Sequence, residues 1–128
     1  MSYSFNKKVE MSFDEAINTV IEELKKEGFG ILTDIDVKAA FKKKIDVDFR
    51  KYRILGACNP SYAYKALLAE DKIGTMLPCN VVVQEGEDGI VEVSAIDPIA
   101  SMRSVKNEHL GGIAIIIQEK LKRVINNV

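Results

Sequence analysis

Ile54-Leu55-Gly56-Ala57-Cys58-Asn59-Pro60 and Met76-Leu77-Pro78-Cys79-Asn80-Val81-Val82-Val83 decide the fold. Both lie in one stretch, Arg53 to Val83. In the first piece an apolar, strand-like run ends at Cys58 and a helix begins. Asn59 is a favoured N-cap, and Pro60 at the first helical position gives up no N–H that the helix needs. In the second piece a loop ends at Pro78, and Cys79 heads a strand rich in valine. Each junction carries a Cys-Asn pair, and they hold the only 2 cysteines of the chain.

Outward toward the N-terminus, residues 3–9 alternate between apolar and polar, the period of a half-buried strand. Ser12-Phe13-Asp14-Glu15 is a capping box, and Asp14 and Glu15 suit the positive end of a helix dipole. Phe13, Ala16, Ile17, Val20, Ile21 and Leu24 then recur at three-and-four spacing, so one face of that helix is buried. Lys25 and Lys26 complement its last turn, and Gly28 can take the left-handed position beyond it. Phe29 to Ile35 reads as a second strand. Asp36 caps a short helix over Val37 to Ile45, with Val37, Ala40, Phe41 and Ile45 expected inward. Its Lys42-Lys43-Lys44 run is a solvated face or a small anion-binding patch. Phe49 to Ala57 is the third strand.

Outward toward the C-terminus, Ala63, Ala66 and Leu67 give the Pro60 helix a packing face. Gly74 to Pro78 is a loop. Cys79 to Glu85 and Ile90 to Ile96 are strands joined by the turn Gly86-Glu87-Asp88-Gly89. Asp97-Pro98 ends the last strand, and a short helical piece is expected over Ile99 to Val105. A long helix follows from Asn107, with Leu110, Ile113, Ala114, Ile117, Leu121, Val124 and Ile125 as its stripe. Gly111-Gly112 weakens its first turns or lets something approach closely. The order predicts a single domain, 1–128. It is an α+β two-layer sandwich: a mostly antiparallel five-stranded sheet, helices on one face, a long C-terminal helix. A homodimer would cover the other face if that face is apolar.

Composition narrows the function. Of 128 residues, 47% are hydrophobic and 29% charged, the balance of a globular domain. With 18 basic and 19 acidic residues the net charge is −1, which argues against a nucleic-acid binder. No run reaches the roughly 18 apolar residues of a membrane span, and Met1 to Glu10 has no apolar signal region. No membrane partner and a cytoplasmic location are therefore expected. In a reducing compartment the cysteines are expected as thiols.

Those thiols are the candidate chemistry. Cys58, just before a helix start, is either a reactive thiol or a small apolar residue at a strand end. Cys79 could join it as a resolving thiol, a disulfide partner or the second ligand of a soft metal ion such as zinc or copper(I). A single His109 leaves the set short of a zinc signature and makes a Cys–His dyad weak. Asn59 is expected as an N-cap. Asn80 is unusual in a strand and would anchor a loop or a ligand. Asp97 is a turn former or a carboxylate facing the same cleft. The expected ligand set is thus Cys58, Asn59, Pro60, Leu77, Pro78, Cys79, Asn80 and Asp97, with Cys58 and Cys79 as the metal pair. Tyr62, Met76 and Met102 are expected as packing or cleft walls.

Leu55-Gly56-Ala57-Cys58-Asn59-Pro60, Gly74-Thr75-Met76-Leu77-Pro78-Cys79-Asn80-Val81-Val82-Val83, Ile96-Asp97-Pro98 and the upstream Glu27 to Asp36 together resemble the bacterial and archaeal domain-of-unknown-function family numbered 302. The resemblance covers nearly the whole chain. It implies a compact α+β fold, an antiparallel sheet backed by a long C-terminal helix, and a homodimer. It implies no reaction and no cofactor, so no catalytic residue carries over. The family motif falls here on Cys58, Asn59, Pro60, Leu77, Pro78, Cys79, Asn80, Asp97 and Pro98. Three readings remain: a small-ligand or soft-metal binding domain, a dimeric interaction domain without chemistry, and a thiol enzyme with Cys58 as nucleophile.

Overall fold

The computed structural model describes residues 2–128. Ser4–Val9 forms β1, Phe13–Lys26 α1, Gly30–Asp36 β2, Val37–Ile45 α2, Tyr52–Cys58 β3 and Pro60–Ala69 α3. A 3₁₀ turn at Asp71–Met76 leads to β4 at Cys79–Glu85. Then come β5 at Val91–Ile96, α4 at Pro98–Ser101 and α5 at Glu108–Asn127. The sheet runs β1-β5-β4-β3-β2, and every neighbouring pair is antiparallel. The α+β architecture with a long final helix is as the sequence predicts.

Alternation along the central strands places Val81 and Val83 of β4 on one face beside Val91, Val93 and Ala95 of β5 and Leu55 and Ala57 of β3. Helices α1 and α5 cover that face with Phe13, Ala16, Val20, Leu24, Leu121, Val124 and Ile125. The Ser12 hydroxyl accepts from the Glu15 amide at 3.2 Å, so the hydroxyl half of the capping box forms. Gly28 sits at φ +87°, the left-handed region that favours glycine. At the far end, Glu27 ties α1 to α5. Its carboxylate takes Arg123 at 2.9 Å, and that hydrogen bond holds the Glu27 pKa below the usual range.

A second, smaller core holds Ala66 of α3, Ile73 of the 3₁₀ turn and Leu110 of α5, packed with Leu77, Met102 and Val105. Helix α3 meets α5 and the 3₁₀ turn rather than lying flat on the sheet. Asn107 joins these parts: its side chain donates to the Ala69 carbonyl at 2.9 Å and accepts from the His109 amide at 3.1 Å.

Three local expectations change. Strand β3 starts at Tyr52, because Phe49 leaves the sheet to stack edge-on against Phe41, with ring centroids 5.2 Å apart. Helix α2 has the predicted span, yet none of its residues is buried, and Ile45 is 63% exposed. Its Val37, Ala40 and Phe41 lie near Ile35, Tyr52 and Ile54, on the face opposite α1 and α5. The rest of that face carries Asn6, Asn80, Gln84, Glu92 and Ser94. Tyr3, Val82 and Ile96 lie among them, so this face mixes polar and apolar side chains.

Candidate functional site

The two Cys-Asn junctions meet because β3 and β4 are neighbours. The register sets Gly56 opposite Asn80 and Ala57 opposite Cys79, so Cys58 lies one residue beyond the last pair. On its other side Cys58 pairs with Gly30 of β2. Neither cysteine is in a disulfide.

The close approach that makes this possible is at Gly56. A Cβ there would stand 2.1 Å from Thr33 Oγ1 and 2.7 Å from Pro78 Cγ. Glycine thus lets the loop before Cys79 and the neighbouring edge strand both close onto β3. The Leu77–Pro78 peptide is cis.

Because α3 stands off the sheet, a half-open cleft of about 310 Å³ lies between the two cores. Its floor is Ala57, Cys58 and Cys79. One wall is α3, through Asn59, Tyr62, Ala63, Ala66 and Leu67; the facing wall is α5, through Ile113, Ala114 and Ile117. Leu77, Pro78, Pro98 and Met102 also line it, as do Phe29 and Leu32. Leu32 is 67% exposed and occupies the bulge that breaks the β2–β3 register between Ile31 and Thr33. A bulge re-aims the side chain it carries. No charged residue lines the cleft.

The thiols differ. Cys79 is 8% exposed, while Cys58 is half-buried. Burial pushes the Cys79 thiol up to about 11, and the nearby Cys58 adds to the rise. At neutral pH Cys79 therefore presents an uncharged S–H to the cleft.

Five of the expected ligand residues line this space: Cys58, Asn59, Leu77, Pro78 and Cys79. Three do not. Pro60 is at the exposed start of α3. Asn80 is exposed on the opposite face of the sheet, as the alternation of β4 requires. Asp97 caps α4, accepting from the Ile99 amide at 3.0 Å and the Gln118 side chain at 3.1 Å, so its turn-forming alternative is the one that forms. Asn59 corrects the sequence reading. It occupies the N-cap position of α3 without a side-chain cap. Its amide instead donates to the Glu27 carbonyl at 3.2 Å, tying the end of α1 to the cleft. Exposed His109 is away from the cleft, and no Cys–His dyad forms.

The walls contributed by Ala63, Ala66, Ile113, Ala114 and Ile117 read in the sequence as helix packing faces. Their small and branched side chains are the same whether a helix touches the sheet or stands off it. Among the described residues no three His, Cys, Asp or Glu side chains gather as a metal cluster. Nor, among the described residues, is any helix long and apolar enough to cross a membrane.

The fold and cleft define a small α+β domain with an apolar cavity between sheet and helices. Residues 5–128 match the family described as domain of unknown function DUF302, and the chain belongs to that family. An uncharacterized conserved protein DUF302 from Bacillus stearothermophilus has a similar crystal structure, with a TM-score of 0.91. The two are 27% identical, over 99% of this chain and 98% of that one. No curated protein matches the chain.

Proposed function

We propose that this domain binds a small, uncharged, largely apolar molecule in the cleft between β3, β4, α3 and α5. One observation carries the reading: a cavity of about 310 Å³ whose walls are apolar carbon, two thiols, one amide and one phenol, with no charge. That volume is at the lower end of small-molecule sites, which are mostly apolar with a few placed polar groups. A charged ligand would lose its hydration here without a compensating partner. Cys58, Asn59, Leu77, Pro78 and Cys79 are the contacts drawn from the family motif.

The test uses N-phenyl-1-naphthylamine, a neutral apolar fluorophore. Saturable enhancement at one site per chain, abolished by Ala63→Phe, is expected, because Ala63 lines the cavity and a phenyl ring there would fill it. Ala63→Phe must keep the circular dichroism of the parent. Absence of saturable binding, or binding indifferent to that substitution, overturns the proposal.

A soft cation held by Cys58 and Cys79 is a second reading, favoured by the placement of both thiols on the cleft floor. Two thiolates suffice for copper(I) by ligand type. Copper(I) taken up in competition with a chromophoric chelator, and lost in Cys58→Ser, supports it. The raised Cys79 pKa predicts that such uptake strengthens with pH, since the proton must leave.

A further inference from the structure

We propose that the cleft captures apolar α,β-unsaturated carbonyl compounds covalently at Cys58 Sγ. The inference rests on the binding reading above and narrows its ligand class. Four features of the site converge on it.

Cys58 is the accessible nucleophile of the cleft, half-buried on its floor. Cys79, 92% hidden from solvent, lines the same floor and makes no side-chain hydrogen bond, leaving a polar but neutral atom beside the reacting one. The start of α3 supplies donors. Pro60 has no N–H, the Ala63 amide bonds the Asn59 carbonyl at 2.9 Å, and Asn59 turns its side chain to Glu27. The amides of Ser61 and Tyr62 are thus left without an intrahelical or capping partner, between cleft-lining Asn59 and Tyr62. Finally, the apolar walls accept a hydrocarbon tail.

A carbonyl oxygen that takes those amides would point its conjugated double bond toward the cleft floor. The sulfur gives up its proton to water, attacks the β-carbon and forms the C–S bond as the C=C π bond breaks. The electron pair moves to the carbonyl oxygen as an enolate, which the amides stabilise, and the α-carbon then takes a proton. The net change is addition of S–H across C=C. No oxidant or further reactant is consumed.

The experiment treats the full-length protein with trans-2-nonenal and follows intact mass and peptide mapping. One adduct per chain is expected, at Cys58, at a rate that saturates with nonenal concentration and exceeds that of N-acetylcysteine by at least about tenfold through prior binding. N-phenyl-1-naphthylamine should slow it, and acrylamide, which has no tail, should show no saturation. Nonanal, the saturated analogue, should leave no thioether. Cys58→Ser should abolish the adduct while keeping the circular dichroism of the parent; Cys79→Ala should keep the adduct. Labelling linear in concentration and no faster than free thiol, or labelling spread over lysines, overturns the proposal. If the fluorophore binds but nonenal does not add, only this inference falls. If neither binds, the cleft reading falls with it.

Discussion

Replacing Gly56 by alanine inserts one methyl where the structure has no room. Its Cβ would stand 2.1 Å from Thr33 Oγ1 and 2.7 Å from Pro78 Cγ. Thr33 can rotate its hydroxyl away, since it lies on the exposed edge strand. Pro78 cannot rotate a ring, so the loop before Cys79 must move. Overpacking of this kind costs about 1–3 kcal/mol. Two contacts below 3 Å on opposite neighbours place Gly56→Ala at the upper end, about 3 kcal/mol. Urea unfolding at pH 7 reads this as a lower midpoint at unchanged slope. Gly56→Ala combined with Thr33→Ala should recover part of the loss, because one of the two clashes is gone, and the remainder measures Pro78. Gly30→Ala is the control: nothing lies within 4 Å of a Cβ there. Parental stability in Gly56→Ala would refute the account of how the two junctions are held together. Full recovery in the double variant would refute the part assigned to Pro78.

Three further outcomes follow from named contacts. Asn59→Asp should lose about 1–2 kcal/mol in the same urea assay, since the carboxylate cannot donate to the Glu27 carbonyl; a helix cap would accept Asp as readily as Asn, so unchanged stability would restore the capping role. The Arg53 guanidinium hydrogen-bonds Asp34 and holds its carboxyl below the usual range. The stabilisation is therefore complete above the unfolded value near ~3.9 and lost as pH falls through the lower folded value. Asp34→Asn should cost no more than about 1 kcal/mol at pH 7, because the pair is part-exposed, and the difference from the parent should vanish in acid. Gly112→Ala should raise stability by about 0.5–1 kcal/mol in thermal unfolding, since a Cβ at this exposed position of α5 meets nothing within 4 Å; a loss would mean that something packs on that face.

Periodicity and capping chemistry made most elements legible without coordinates. β4 is a valine-rich run, the valines of β5 alternate, and the turn between them carries Gly and Asp, so the hairpin could be read locally. The α1 stripe, its Ser12 start and its Gly28 end, and the α5 stripe are likewise encoded within a few residues of one another. The Cys58 and Cys79 junctions stood out as chemical oddities in a chain with no other thiol. Local pattern failed where two meanings share one signal. Val37, Ala40 and Phe41 have helical spacing on either side of a sheet, and only the packing put α2 on the face opposite α1 and α5. Asn59 looks like a cap because its sequence neighbours cannot show Glu27, 32 positions away, which takes its hydrogen bond. Asn80 and Cys79 are adjacent in the chain, yet the pleat sends them to opposite faces.

The elements were therefore written in the sequence, because helix and strand formation depends on spacing and end chemistry within about four residues. The cleft was decided by tertiary structure alone. It exists because β4 falls beside β3, because Gly56 admits Thr33 and Pro78 at once, and because α3 stands off the sheet. Each of these is a contact between residues far apart in the chain, made when the apolar faces pack, and no local pattern contains it.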